Sequence, residues 1–187
     1  MITISGVISD RVRFTNGLYM FEIKCKRNTG ILDEIPVLIT EGSVPEKWCG
    51  DLAGRTVRVT GEIHSRMRLN CNAFYVKAKN IESSQQQSEN LVDFWGIICK
   101  PPIYRKTPLG REIADLMVAI NRQRGESDYI PCIAWGNDAI LASKMKTGDK
   151  IQLHGRAQSR KYSKKTNETE IERVTYEISV SKMEVLK

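Results

Sequence analysis

The sequence predicts an all-β protein made of two small closed barrels in tandem. Three observations favour this fold class: segments in which apolar and polar residues alternate, glycines inside those segments, and an internal repeat whose matching residues lie 90 to 95 positions apart. The chain has 187 residues, 41% hydrophobic and 27% charged, which is a globular composition. Its net charge of +7 gives a first indication of a polyanionic partner.

The composition argues against several other classes of protein. No apolar run approaches the ~18 residues that span a bilayer, and residues 1–6 lack the basic and apolar regions of a signal peptide. We therefore expect a cytoplasmic protein with no membrane partner. The 5 cysteines form no C-x-x-C pair, and His64 and His154 lie at no ligand spacing from them. We expect no disulfide framework, no zinc site and no other cofactor.

The internal repeat divides the chain into two homologous units. The matched segments are Ser5-Gly6-Val7-Ile8 with Trp95-Gly96-Ile97-Ile98, Asn16-Gly17 with Leu109-Gly110, Ile35-Pro36-Val37 with Ile130-Pro131-Cys132, 53–61 with 147–155, and Ser65-Arg66 with Ser159-Arg160. Eight polar residues, 83–90, separate the units and have the composition of a flexible linker. The sequence therefore predicts domains at 1–82 and 91–187, joined by the linker 83–90.

Each unit shows the pattern of short strands. Residues 18–25 alternate apolar and polar side chains with the period of a half-buried strand. A later strand in each unit carries its apolar residues on one face, and Gly61 and Gly155 fall on that same face. A glycine inside a strand indicates a sharp bend or the close approach of another backbone. Small closed barrels require such bends.

One short helix is expected between the third and fourth strands of each unit. In the second unit, Asn137 is a good N-cap, and the helix is expected to continue to Thr147-Gly148. In the first unit, residues 45–50 leave room for one or two turns. Three strands, a short helix and two further strands form the order of an OB-fold, so we predict two tandem five-stranded OB barrels.

The second unit, over residues 94–186, resembles the bacterial single-stranded DNA-binding protein family. The motifs that carry the resemblance are Trp95-Gly96, Pro101-Pro102-Ile103-Tyr104-Arg105-Lys106-Thr107, Val118-Ala119-Ile120-Asn121-Arg122, Ile133-Ala134-Trp135-Gly136, Lys146-Thr147-Gly148-Asp149-Lys150-Ile151, His154-Gly155-Arg156 and Ser159-Arg160-Lys161-Tyr162. The first unit joins this family only through the repeat. The resemblance implies sequence-independent binding of single-stranded DNA in replication, recombination or repair, by base stacking and phosphate neutralisation.

The resemblance also implies which residues bind. It places stacking aromatics at Tyr129, Trp135 and Tyr162, although the end of an apolar strand would also suit Trp135 as a core residue. One further family aromatic has no counterpart here, and Arg122 or Arg124 is expected to substitute for it by stacking a guanidinium plane. The complete expected set is Tyr104, Arg105, Lys106, Arg122, Arg124, Tyr129, Trp135, Arg160, Lys161 and Tyr162.

The chain departs from the family in its first unit and at its C-terminus. The repeat register puts Glu34, Thr40 or Ile39, and Met67 where the second unit has its stacking aromatics. We therefore expect most of the affinity in residues 91–187, and only a secondary basic surface, or a pairing surface, in the first unit. That surface comprises Arg55, Arg58, Arg66 and Arg68. The sequence lacks the acidic tail typical of the family, which puts the recruitment of protein partners in doubt.

The expected assembly is a dimer, and several other functions are alternatives to the binding of single-stranded DNA. Family members place four OB domains around the strand, so a chain with two such domains is expected to form a homodimer. RNA is the main alternative ligand because OB barrels bind both nucleic acids, and a primosomal accessory role or a structural assembly role with vestigial binding is also open. A nuclease would need clustered carboxylates for a metal ion. Asp115 is isolated in an apolar strand, and the alternation of Glu168, Glu170 and Glu172 beside Lys164 and Lys165 is typical of a solvated hairpin. We therefore do not expect an enzyme.

Overall fold

The computed structural model describes residues 1–9, 12–42, 48, 52–68, 71–166 and 169–186. The strands of the first half are β1 (Ile2–Ile8), β2 (Arg13–Thr15), β3 (Leu18–Lys26), β4 (Leu32–Thr40), β5 (Thr56–Arg68) and β6 (Cys71–Ser83). The second half contains β7 (Asn90–Ile98), β8 (Ile103–Lys106), β9 (Glu112–Asn121), β10 (Ser127–Trp135), β11 (Lys150–Thr166) and β12 (Thr169–Leu186). A helix α1 (Gly136–Ala142) follows β10, and a single 3₁₀ turn occupies Gln123–Gly125.

Each half closes into a five-stranded barrel, which confirms the predicted fold class. In the first barrel β1 pairs with both β5 and β3, while β4 and β6 pair in parallel and complete the closure. In the second barrel β7 pairs with both β11 and β9, and β10 pairs in parallel with β12. The short strands β2 and β8 extend β3 and β9 on the outside. This is the strand arrangement of an OB-fold in both halves.

The interior of each barrel is filled by the inward-facing residues of the alternating strands. Ile4, Ile23 and Val59 are completely buried in the first barrel, as are Ile151 and Leu153 in the second. Burial of such side chains stabilises a domain by about 1.5–3 kcal/mol each relative to leaving them in water. The alternation seen in residues 18–25 therefore corresponds to an observed strand, β3, with one buried face.

Gly61 and Gly155 mark the bends that the sequence predicts. The register of β5 with β6 shifts between Thr60 and Gly61, and that of β11 with β12 shifts between His154 and Gly155. A Cβ atom on Gly155 would lie only 2.3 Å from the carbonyl oxygen of Ser179, and the corresponding distance at Gly61 is 2.2 Å, to Lys77. Glycine is therefore required at both positions, because the strand bulges there and a neighbouring backbone approaches closely.

The helix differs from its predicted bounds. Helix α1 begins at Gly136, directly after β10, so Asn137 lies in its first turn and not at its N-cap. It ends at Ala142. In the turns that follow, the amides of Lys144 and Met145 donate to the carbonyl oxygens three residues earlier, those of Leu141 and Ala142. The prediction that the helix continues to Thr147 is therefore wrong. The helix predicted over 45–50 in the first unit lies outside the described residues, apart from the buried Trp48.

The two barrels are joined through strand pairing and through their connecting segment. β1 pairs antiparallel with β7, with Ile2 opposite Val92, so that one sheet runs through both barrels. Within the segment predicted to be a flexible linker, the carbonyl oxygen of Glu89 accepts from the Ser5 amide at 2.8 Å, and that of Gln87 accepts from the Lys26 amide at 3.1 Å. The linker is therefore held against the first barrel, because its backbone satisfies donors of β1 and β3.

Across the described part of the chain, α1 and the other helical turns are too short or too polar to cross a membrane.

Candidate nucleic-acid interface

Three exposed aromatic side chains lie on β10 and β11 of the second barrel. Tyr129, Trp135 and Tyr162 are 47%, 39% and 41% exposed. Tyr129 and Trp135 are six positions apart on β10 and therefore point to the same side of the sheet. The indole Nε1–H of Trp135 donates to the hydroxyl of Ser179 at 3.1 Å, which fixes the ring beside β12. Trp135 is thus a surface residue, not a core residue.

Arg105 lies on the same face as Trp135, two strands away. The register places Ile113 opposite both residues, so the row runs from Trp135 on β10 through β9 to Arg105 on β8. Adjacent strands are about 4.8 Å apart, so this row spans about 10 Å. The guanidinium group of Arg105 forms an exposed ion pair with Asp115 at 2.8 Å. Exposed pairs contribute only about 0–1 kcal/mol, so a phosphate group can replace this carboxylate at little cost.

Lys106 and Tyr104 lie beside Arg105 and share one acidic partner. The ammonium group of Lys106 is 3.0 Å from a carboxylate oxygen of Glu112, and the Tyr104 hydroxyl donates to the same side chain. The resemblance implied that these three residues bind nucleic acid. The structure adds that acidic side chains pair with two of the cations, Arg105 and Lys106.

Further cations lie on the hairpin formed by β11 and β12. Arg160 and Lys161 are exposed and directly precede Tyr162. Arg160 is 3.9 Å from Glu177, near the outer limit of an ion pair. The hairpin therefore presents an aromatic ring with cations next to it in the sequence, which is the combination used by sequence-independent binders of single strands.

Arg122 does not lie on this face. Its Nε–H donates to Asp128 at 2.6 Å, and a second nitrogen of the guanidinium group donates to the carbonyl oxygen of Ile63 on the first barrel. The structure therefore places Arg122 between the barrels, where its charge compensates a buried carboxylate, and it corrects the expectation that this residue stacks on a base. The side chain of Arg124 lies outside the described part of the structure.

The first barrel differs at the corresponding positions. Glu34 and Thr40 stand on β4 where β10 carries Tyr129 and Trp135. In the predicted secondary basic surface, Arg58 is bound by Glu89 at 2.7 Å and Glu82 at 3.2 Å. Hydrogen bonds to these two carboxylates raise the pKa of Arg58, so it serves to hold the linker. Of the other members of this surface, Arg55 has interaction partners of its own. The side chains of Arg66 and Arg68 lie outside the described part of the structure.

The sequence did not identify the polar contacts between the barrels. Asp33 is completely buried and accepts hydrogen bonds from Arg27 at 2.6 Å and from the Ser159 amide at 2.8 Å. Asp128 accepts from the Ser65 amide at 2.6 Å, as well as from Arg122. The repeat contained a signal for these contacts, because it aligns identical residues in the two units. The aligned pairs are Arg27 with Arg122, Asp33 with Asp128, and Ser65 with Ser159.

Phe94 and Trp95 are neighbours in the sequence and face opposite sides of β7. Phe94 belongs to the core, whereas Trp95 is 53% exposed. Together with Ile120 and Arg122, Trp95 lines a cleft of about 490 Å³ between the barrels. Leu91, on the same side of β7, is 61% exposed. The middle of the shared sheet therefore exposes two large apolar side chains, with the carboxylate of Asp93 between them, in addition to the aromatic face of the second barrel.

The two barrels and their exposed aromatic and basic residues define a class of protein, the tandem OB-fold proteins. Residues 89–186, more than half of the chain, match the model of the Single-strand binding protein family. The chain therefore belongs to the single-strand binding protein family.

Individual relatives are similar over part of the chain. The "Single-stranded DNA-binding protein" of Oceanobacillus iheyensis is 34% identical over 87 residues, which cover 43% of this chain and 54% of the relative. The "Single-stranded DNA-binding protein A" of Bacillus subtilis is 36% identical over 80 residues, covering 39% and 46%. The matched segments thus span about half the length of these curated relatives.

Two solved structures are similar over the whole chain. The wild-type single-stranded DNA binding protein from Thermus aquaticus gives a TM-score of 0.76 at 19% identity and covers 100% of this chain and 92% of that one. A deletion mutant of the same protein gives 0.73 at 20% identity. At these identities the likeness establishes the fold, and it extends over both barrels.

Proposed function

We propose that this protein binds single-stranded DNA largely without regard to sequence. The observation that carries the proposal is the common face of the second barrel, where Trp135 and Tyr129 on β10 lie on the same side as Arg105 on β8, with β9 between the two strands. Each exposed ring offers a stacking surface to a base of any identity, worth about 1–3 kcal/mol per base. Arg105 supplies a cation on the same face, within the reach of a nucleotide backbone.

The hairpin extends this proposed surface. Tyr162 adds a third ring, and Arg160 and Lys161 add positive charge. A single nucleic-acid strand can therefore run from the face of the barrel onto the hairpin. Lys106 and Tyr104 extend the surface at its other end, beyond Arg105. Binding is stoichiometric: the protein covers single strands and performs no reaction on them. We propose that it acts in the cytoplasm, in replication, recombination or repair, where single strands are exposed.

We propose further that two chains associate, so that four OB barrels act together. The support is a patch in the middle of the shared sheet, where Leu91 and Trp95 are both more than half exposed on either side of Asp93. A symmetric dimer uses the same patch on both subunits. A patch near the middle of a sheet that runs through both barrels is suited to that use, because it lets two such sheets pack face to face.

The test of DNA binding measures the fluorescence anisotropy of a labelled oligo-dT at several salt concentrations. We expect affinity to fall as salt rises, with a log–log slope of about −0.7 for each phosphate neutralised. Tyr162→Ala and Trp135→Ala should each lower the affinity about 5- to 150-fold, the value of one stacked base, and leave the slope unchanged. An affinity that both substitutions leave intact would contradict the stacking assignment.

Phe14→Ala is the matched control for these variants. Phe14 is an exposed aromatic residue on β2 of the first barrel, outside the proposed surface, and its ring packs against Tyr19 with the centroids 4.5 Å apart. We expect it to bind oligo-dT as the wild type does. Competition by unlabelled oligo-U separates the two nucleic acids, and displacement by oligo-U at lower concentrations than oligo-dT would favour the RNA alternative.

A further inference from the structure

The contacts between the barrels form two equivalent clusters, which we call the first and second clasps. The first clasp consists of Arg27 and Asp33 of the first barrel and Arg156 and Ser159 of the second. The second clasp consists of His64 and Ser65 of the first barrel and Arg122 and Asp128 of the second. In each clasp a buried aspartate at the start of one barrel's strand binds the backbone amide of a serine on the other barrel's hairpin. The two barrels thus hold each other reciprocally.

The first clasp grips the base of the hairpin that carries Tyr162. Asp33 accepts from the Ser159 amide at 2.8 Å and from Arg156 at 3.1 Å. The Ser159 hydroxyl accepts from the Glu34 amide at 3.0 Å, and its carbonyl oxygen accepts from Arg27 at 3.3 Å. The amide, the hydroxyl and the carbonyl oxygen of Ser159 are therefore all bound by the first barrel.

The first clasp lies at the point where the β11–β12 hairpin extends beyond its own barrel. β11 pairs with β7 only as far as Gly155, and β12 pairs with β10 at Ile178 and Ser179. Beyond Gln158, the described part of β11 pairs with β12 alone. A two-stranded hairpin is marginally stable in water by itself. The contacts of the first barrel with Ser159 therefore support the segment from Arg160 to Tyr162, in addition to its pairing with β12.

The second clasp touches the other part of the aromatic face. The amide of Tyr129 donates to the Ser65 hydroxyl at 3.1 Å, and that hydroxyl donates to Asp128, also at 3.1 Å. Asp128 is thus bound by the amide and the hydroxyl of Ser65 and by Arg122. The backbone that carries the Tyr129 ring is consequently fixed by a serine of the first barrel.

We infer that the first barrel acts as a brace that positions two parts of the binding surface of the second, the hairpin and the start of β10. Asp33 and Ser159 position the hairpin with Tyr162, and Ser65 positions Tyr129. These three are positioning residues, because they act through their neighbours. The inference rests on the proposed function. Its physical basis is that ordering a mobile side chain on binding costs free energy, a cost that a preorganised surface does not incur.

The test compares Ser159→Ala and Ser65→Ala with the wild type in the full-length chain. Ser159→Ala removes one side-chain hydrogen bond, from the Glu34 amide, and Ser65→Ala removes two, from the Tyr129 amide and to Asp128. Both keep the buried aspartate and its arginine. We expect faster hydrogen exchange at the amides of residues 160–163 in Ser159→Ala and at Tyr129 in Ser65→Ala. We also expect the affinity for labelled oligo-dT to fall about two- to tenfold in Ser159→Ala, the value of one hydrogen bond, and at least as much in Ser65→Ala, which loses two. The salt slope should be unchanged in both.

Ser143→Ala is the matched control. Its hydroxyl donates to the carbonyl oxygen of Ile140 at 2.8 Å at the end of α1, remote in sequence from both clasps. All affinities are measured well below the midpoint of thermal unfolding, so that a loss of stability alone leaves them unchanged. Asp33→Asn is the stronger variant, and the two serine variants decide the question if it fails to fold.

The outcomes separate this inference from the proposed function. If the wild type binds oligo-dT and both serine variants bind it equally well, or their amide exchange is unchanged, the brace is refuted. If the wild type does not bind oligo-dT, the proposed function fails. The exchange measurement then still decides whether the first barrel holds the hairpin.

Discussion

His64 is the residue at which the boundary between the barrels responds most directly to pH. Its ring stacks on Tyr75 with the centroids 5.7 Å apart, and its Nδ1 lies 3.3 Å from a carboxylate oxygen of Asp128. Burial is the main cause that lowers the pKa of His64, and the cation of Arg122 lowers it further. Asp128 and Glu62 act in the opposite direction, and Lys77 adds a smaller lowering effect.

The lowered pKa predicts a loss of stability in acid. In the unfolded chain His64 has the ordinary histidine pKa of about 6.5, so it binds a proton more strongly there than in the folded protein. The stabilisation is therefore fully present above that pH and decreases as the pH falls through it. His64→Gln should remove this contribution, and Gln158 occupies the equivalent position in the second barrel.

Urea unfolding at pH 7.5 and pH 5.5 measures this effect. We expect the free energy of unfolding to fall less between these two values in His64→Gln than in the wild type, because the carboxylates that titrate in both proteins cancel in the comparison. An equal fall in both proteins would show that His64 protonates alike in the folded and unfolded states.

At the scale of the elements, the two long hairpins decide the geometry of the molecule. β5 with β6 and β11 with β12 each close a barrel at one end and contact the other barrel at the opposite end. A bulge at Gly61 or Gly155 separates these two parts of the hairpin. The bulge bends the strand between the part that belongs to its own barrel and the part that carries the clasp serine.

Gly155→Ala should therefore destabilise the protein. The new Cβ atom would lie 2.3 Å from the Ser179 carbonyl oxygen, and a backbone atom cannot move aside as the end of a side chain can. We expect a loss of about 1–3 kcal/mol in the free energy of unfolding, as for other overpacked sites. Gly61→Ala should behave in the same way, since its closest backbone distance is 2.2 Å.

Thermal or urea unfolding of these two variants beside Ser143→Ala measures the loss. Wild-type stability in Gly155→Ala would mean that β12 shifts freely beside the bulge, contrary to its pairing with both β11 and β10.

At the scale of the whole molecule, the two barrels are related by an approximate two-fold axis. Ser65 and Ser159 are equivalent, and their cross-strand partners are Phe74 and Tyr176. These two rings contact each other with their centroids 5.9 Å apart, so they lie close to the axis. Burial raises the pKa of Tyr176 to about 12, with Glu22 and Glu34 adding to the effect. The chain is thus built like a dimer of two barrels within one polypeptide.

The proposed association of two chains is tested by light scattering at micromolar concentration. We expect twice the mass of one chain for the wild type and the mass of one chain for Leu91→Glu, because the new charges would face each other across a symmetric interface. Leu109→Glu is the control, since Leu109 is an exposed leucine in the turn between β8 and β9, away from the shared sheet. A single-chain mass for the wild type would refute the dimer.

The sequence by itself determined the two barrels. Alternation gave the strands, the repeat related the two units, and Gly61 and Gly155 marked the bends, because each of these signals acts over a few residues or is copied within the chain. Family motifs directed attention to Trp135, Tyr129 and Tyr162, and the structure places all three rings at the surface. The N-terminal start of α1 was less well predicted, since the turn at Gly136 depends on where β10 ends.

Only the tertiary structure decided how the two units meet. Arg122 was expected on nucleic acid, yet it compensates Asp128 between the barrels, and the polar linker is bound to the first barrel. Partners in these contacts lie as far apart as Asp33 and Ser159 in the sequence, so no local pattern distinguishes a buried pair from a solvated one. What separates the two cases is burial, because a carboxylate removed from water must find its compensating donors wherever the fold brings them.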